Sequence, residues 1–146
     1  MAKPSRHMAR LAAVQALYQW QLTEQAPADI ETHFISDHEL KGVDVEYFHH
    51  LVREVPLHQH ELDDHLTPHL DRTIDDVDPV ERAILRIGAF ELEFQLEIPY
   101  KAVINEAVEL AKTFGAEHGH KYVNAILDKI ATGLRSREIK AERSTA

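Results

Sequence analysis

Residues 78–96, DPVERAILRIGAFELEFQL, restrict what this chain can fold into more than any other stretch. Asp78 can cap a helix, Pro79 suits the first helical position, and Glu81 stands three residues after the cap. Beyond the cap the stretch is apolar on almost every side: Val80, Ala83, Ile84, Leu85, Ile87, Ala89, Phe90, Leu92, Phe94 and Leu96. A helix of this kind belongs among other helices. At 100° per residue, Arg82, Arg86 and Glu93 fall on one narrow polar stripe, which reads as a strip left to water or a partner. Gly88 costs the helix about 1 kcal/mol relative to Ala, and would let a neighbouring helix approach closely.

The remaining pattern is also helical. No alternating Val/Ile/Thr run bounded by turn residues occurs, and no Asn-Gly or Asp-Gly pair. Ser5 can cap a first helix running to about Glu24, with Met8, Leu11, Val14, Tyr18 and Leu22 toward one side. Pro27 to about Glu39 forms a short helix with Ile30 and Phe34 at i,i+4. Asp44 can cap a third, striped by Val45, Phe48, Val52 and Val55. Pro56 is expected to separate it from a fourth, 57–70, which Pro68 kinks or ends. DRTIDDVD, 71–78, reads as the connection between two halves. After the central helix come 101–114, stopped by Gly115, and 120–134. The tail 135–146 is polar and expected to be flexible. The fold class is therefore all-α: about seven helices in two packed small bundles, an N-terminal half (1–77) and a C-terminal half (78–134), together one compact domain.

The net charge of −9 is unevenly spread. Residues 21–78 hold 15 acidic and 3 basic side chains, while the rest of the chain holds 10 and 13. An acidic protein is a poor non-specific nucleic-acid binder. A basic patch built from both ends of the sequence remains open beside the plainer reading of a solvated acidic half. The first turn holds Arg6 and Arg10 one turn apart, against the helix macrodipole by a few tenths of a kcal/mol. There is no cysteine, hence no disulfide or thiol chemistry. No apolar run reaches the roughly 18 residues of a membrane span, and the basic N-terminus lacks the apolar core of a secretory signal. A cytoplasmic protein without a membrane partner is the expectation.

Enzyme signatures are absent: no GxxxxGK[ST], GxGxxG or GxSxG, and no nucleophile to nominate. No catalytic residue or cofactor is expected. Six of the 11 histidines lie between His49 and His69. His60-Glu61 is followed by His65, five residues on, where HExxH needs four. His65 and His69, with Glu61, have a spacing that can hold zinc, but Pro68 disturbs the backbone. A His-rich solvated face with no metal is the preferred reading. GAEHGHKYVN, 115–124, offers another site. Helix N-termini favour anions, His118, His120 and Lys121 add donors, and Tyr122 supplies a ring for stacking single-stranded RNA. It also passes as an ordinary helix cap.

DPVERAILRIGAFEL, IPYKAVINEAVELAKTFGAE, HKYVNAILDKIA and AVQALYQWQL together resemble the NusB family of transcription antitermination factors, over nearly the whole chain to about Leu134. The resemblance implies a non-enzymatic, all-helical protein. It would bind the boxA element of ribosomal-RNA leaders together with the small-subunit ribosomal protein NusE, and act on RNA polymerase with other Nus factors. It implies an RNA surface of Lys3, Arg6, Arg10, His118, Lys121 and Tyr122, with Arg86 and Lys101 as further candidates. It places the protein partner on Tyr18 and Glu81, with Asp75 beside them. His7 and Met8 stand where the family usually has more arginine, and His118-Gly119 where an acidic residue and a serine are common. The alternative is a protein-interaction or homo-oligomerisation module with little RNA binding of its own.

Overall fold

The computed structural model describes residues 5–37, 40–115 and 119–145. Among them are eight α-helices and no strand: α1 Arg6–Thr23, α2 Pro27–Asp37, α3 Val45–Leu57, α4 Gln59–Leu66, α5 Pro79–Phe94, α6 Tyr100–Thr113, α7 Gly119–Leu134 and α8 Ser136–Thr145. Two 3-10 turns, Thr67–His69 and Ile74–Asp76, lie between α4 and α5. The all-α expectation holds, with one more helix than the periodicity suggested. The chain divides into two compact units, 1–59 and 60–146.

In the first unit, α1, α2 and α3 pack on one another. Ser5 caps α1 by accepting from the Met8 N–H at 3.1 Å. Its own N–H donates to the Gly42 carbonyl at 2.7 Å, and its carbonyl accepts from Asp44 N–H at 3.2 Å. Asp44 in turn caps α3 through the Tyr47 N–H, at 3.1 Å. Gly42 has φ +79°, a conformation side chains disfavour. That turn ties the starts of α1 and α3 together. Ile30, Phe34, Phe48, Leu51, Val52 and Val55 are buried, and the Phe34 and Phe48 rings sit 5.9 Å apart. Buried Glu31 of α2 meets His49 of α3, with Arg53 Nη1 at 3.9 Å.

The second unit is built on α5, which packs against α6 and α7. Asp78 accepts from the Val80 and Glu81 N–H groups at 2.9 and 3.2 Å, and Pro79 opens the helix. A Cβ on Gly88 would stand 2.6 Å from Leu127 Cδ1 of α7, so the close approach expected there is present. Along α5, residues 82–92 are all buried.

Four local expectations are corrected. The unit boundary falls at 59/60 rather than 77/78, because α4 and the turns after it are bonded to α5. Arg86 forks onto Asp63 of α4 at 2.9 and 2.8 Å, and Arg82 donates to the Ile74 and Asp75 carbonyls. The same bonds overturn the idea of an open polar stripe: Arg82 and Arg86 are buried. Pro56 does not separate two helices but lies in the last turn of α3; the break comes at His58. Finally, 135–145 is not a loose tail. Arg135 is buried and donates to the Glu91, Leu92, Gln95 and Ile98 carbonyls at 2.7 to 3.1 Å. It thereby gathers the carbonyls of the last turn of α5 and of the connection to α6, the Glu91 and Gln95 carbonyls also accepting the Gln95 and Ile98 N–H groups. Glu138 of α8 accepts from the Tyr100 N–H at 2.9 Å, capping α6 where Pro99 cannot.

Candidate nucleic-acid and partner surfaces

The first candidate surface is set by the tied starts of α1 and α3. Arg6 and Arg10, one turn apart, both reach the ring of Tyr47, at 4.3 and 5.4 Å from its centroid. A guanidinium over an aromatic face is attracted by about 0.5–1 kcal/mol at exposed sites and more when desolvated. Arg6 is exposed. Arg10 is only 5% exposed, which corrects its reading as a surface cation: its charge is committed within the first unit. Lys3 lies outside the described residues.

The second surface lies where α7 begins. Lys121 is exposed and Tyr122 half-buried in its first turn. The Tyr122 hydroxyl donates to Asp71 Oδ1 at 3.1 Å, and Arg72 stands over the ring, 5.6 Å from its centroid. Arg72 also grips Asp71 through two hydrogen bonds, at 2.8 and 3.0 Å. These bonds lower the Asp71 carboxyl to about 2, Arg72 being the largest cause. Burial, then Asp71, raises the Tyr122 hydroxyl. The result is an exposed cation beside a partly open aromatic ring at a helix start. Sequence reasoning missed Arg72. It sits inside the acidic stretch 71–78, and nothing local signals that this stretch folds against α7. His118 lies outside the described residues.

The two further candidates fare differently. Arg86 is 4% exposed and spent on Asp63, so it is withdrawn as an RNA contact. Lys101 is exposed in the first turn of α6 but paired with Glu142 of α8, which raises its pKa. It borders a shallow cavity of about 210 Å³ with Tyr100, Asn105, Asn124 and Asp128.

For a protein partner, Tyr18 and Leu22 of α1 are 40% and 51% exposed at i,i+4 spacing, an apolar edge of the kind that interfaces use. In the second unit, Asp75 is exposed and Glu81 half-buried. Burial, then Asp78, raises the Glu81 carboxyl, while Arg72 opposes that shift. The histidine face also changes partners. His65 does not join His69; its Nε2 lies 3.2 Å from Glu93 Oε1 of α5. Burial, then Glu61, raises the Glu93 carboxyl.

Helices throughout, with arginine and tyrosine grouped at helix starts and apolar side chains left open on α1, define an all-α protein of the binding class. The NusB family model matches residues 7–132. The transcription antitermination protein NusB of Nitrosococcus oceani is 57% identical over 136 residues, 93% of this chain and 91% of that protein. Two solved structures share the fold. NusB of T. maritima has a TM-score of 0.77 at 29% identity, over 90% of this chain and 94% of that one. A NusB chain from a crystal structure of the antitermination factors NusB and NusE with dsRNA has a TM-score of 0.79 at 32% identity, over 87% and 96%. This chain belongs to the NusB family, whose members are transcription antitermination factors and not enzymes. No helix among the described residues is long and apolar enough to cross a membrane.

Proposed function

We propose that this protein binds boxA-type single-stranded RNA together with the ribosomal protein NusE, and delivers that complex to RNA polymerase with other Nus factors in the cytoplasm. The observation that carries the reading is the cluster at the start of α7. An exposed lysine, a partly open tyrosine ring and an arginine over that ring share one helix start. Single-stranded RNA is bound by stacking on aromatics and by cations that track its phosphates. Arg6, Arg72, Lys121 and Tyr122 are the contacts proposed, with Lys101 available once Glu142 releases it. Lys3 and His118, the other basic candidates, complete the RNA set. NusE is assigned to Tyr18, Glu81 and Asp75. The solved NusB–NusE complex with dsRNA supports both partner classes by family likeness.

The test is binding of a boxA-type RNA at near-physiological salt, with and without NusE, and then a salt series. Binding strengthened by NusE, with log affinity falling linearly as log salt rises, is expected; the slope counts the phosphates engaged. The burial of Arg10 and Arg86 favours one alternative, a protein-interaction or self-associating module. Absence of RNA binding by folded protein in both conditions would turn the reading to that alternative, and the oligomeric state in solution would then test it.

A further inference from the structure

We infer that Glu61, His65 and Glu93 form a binding site for one divalent transition-metal ion of the zinc type, independent of the RNA surface. Glu61 and His65 stand one turn apart on α4, so their side chains share a face. Glu93 approaches from α5, and all three residues lie in the second unit. One ligand atom from each lies within 4.8 Å of the other two. An ion held at zinc's ligand lengths of about 2.0–2.2 Å brings tetrahedral ligands to about 3.4 Å from one another.

A second observation points to a ligand. His65 Nε2 and Glu93 Oε2 are both shut off from solvent without a hydrogen-bond partner, although neither residue is fully buried. His65 Nε2 and Glu93 Oε1, 3.2 Å apart, form an ion pair, and Glu61 also acts on the Glu93 carboxyl; Glu93 Oε2 is the atom turned away from both. A buried polar atom without a partner is costly, and a coordinated cation would satisfy both.

Charge leads to the same conclusion. When both carboxyls are ionised they outnumber the single imidazole. A divalent cation with neutral His65 makes the group neutral. The donor set also selects the ion. One imidazole and two carboxylates suit zinc and its neighbours, whereas calcium wants six to eight oxygens and magnesium keeps most of its waters. Three protein ligands leave a fourth position to water. The ion would fasten α4 to α5, the two helices that the Asp63–Arg86 pair also joins.

The full chain, stripped with a chelator, is titrated with Zn²⁺ against a chromophoric competitor, with Mg²⁺ and Ca²⁺ in parallel. One Zn²⁺ per chain is expected, accompanied by a rise in Tm, with no comparable response to the other two ions. His65→Ala and Glu93→Gln should each weaken that binding by about tenfold or more, and His69→Ala should leave it unchanged. Glu61→Gln alters an exposed side chain and keeps the test valid should a more buried variant fail to fold. Zn²⁺ affinity unchanged in Glu61→Gln and His65→Ala would assign the uptake to other histidines and overturn the proposal. So would equal binding of Ca²⁺, or no uptake at all.

Discussion

Tyr47 in the first unit and Tyr122 in the second each carry arginine over the ring, yet their surroundings are opposite. Tyr47 is 5% exposed, and two guanidiniums converge on it, one of them buried. Tyr122 is only half-buried, its single arginine is exposed, and an aspartate holds both the arginine and the hydroxyl. In the first cluster the ring is fixed by the fold and holds Arg10 buried beside it, so that Arg6 alone keeps its charge at the surface. In the second, a surface carboxylate positions the cation, and ring area remains available. The same pair of residue types is thus a structural joint in one place and a candidate ligand platform in the other. Burial of the ring decides which.

The largest effect that separates the two is on stability. Tyr47→Ala removes a buried ring and the seat of two guanidiniums, and should cost about 3–5 kcal/mol, as large aromatic truncations in cores do. Urea unfolding monitored by circular dichroism measures it. A loss below about 1 kcal/mol would mean that the first cluster is no joint and would erase the contrast.

Tyr122→Ala should do the reverse. Its ring is partly open and its hydroxyl meets an exposed carboxylate, so stability should change by about 1 kcal/mol or less. A base stacked on an aromatic is worth about 1–3 kcal/mol, so affinity for boxA-type RNA should fall about fivefold to a hundredfold. RNA affinity unchanged in a folded Tyr122→Ala protein would remove the second cluster from the RNA surface.

Burial also separates what could be read in the sequence from what could not. The cap at Asp78, the start at Pro79 and the close approach at Gly88 were legible because each depends on residues within one or two turns. Arg86 and Arg82 look like a strip left to water or a partner because their actual partners, Asp63 and the Ile74 and Asp75 carbonyls, lie 23, 8 and 7 residues away. Helical periodicity cannot see a short helix folding back over a polar face. Arg10 misled in the same way: charge at a helix start implied solvent, while the Ser5–Gly42 turn had placed Tyr47 beneath it. The C-terminal segment looked too polar to order. Its anchor is not an apolar stripe but Arg135, whose four carbonyl acceptors lie 37 to 44 residues earlier. Arg72 had no local signal either, since its ring partner is on α7. Position was legible where a residue's own helix start sets it, as for exposed Lys121 and half-buried Tyr122 at the start of α7, and illegible where packing assigns it.

The smallest expected effect tests whether Asp71 organises the second cluster. Arg72 supplies the larger part of the lowering of its carboxyl to about 2, and the Tyr122 hydroxyl a smaller part. A carboxyl lowered in the folded state binds its proton more weakly there than in the unfolded chain. Its contribution to stability is therefore complete above the ordinary value of 3.8 and is lost as pH falls through about 2. Asp71 lies at the surface, where salt and water weaken such pairs, so the change is best monitored at the group itself. The ¹³C shift of the Asp71 carboxyl should titrate near 2 in the parent protein. It should move toward the ordinary aspartate value in Arg72→Ala, and by less in Tyr122→Phe. A larger shift in Tyr122→Phe than in Arg72→Ala would make the hydroxyl the organiser. An ordinary midpoint in the parent protein would mean that Asp71 holds neither group, and that Arg72 meets an RNA phosphate with no carboxylate to release.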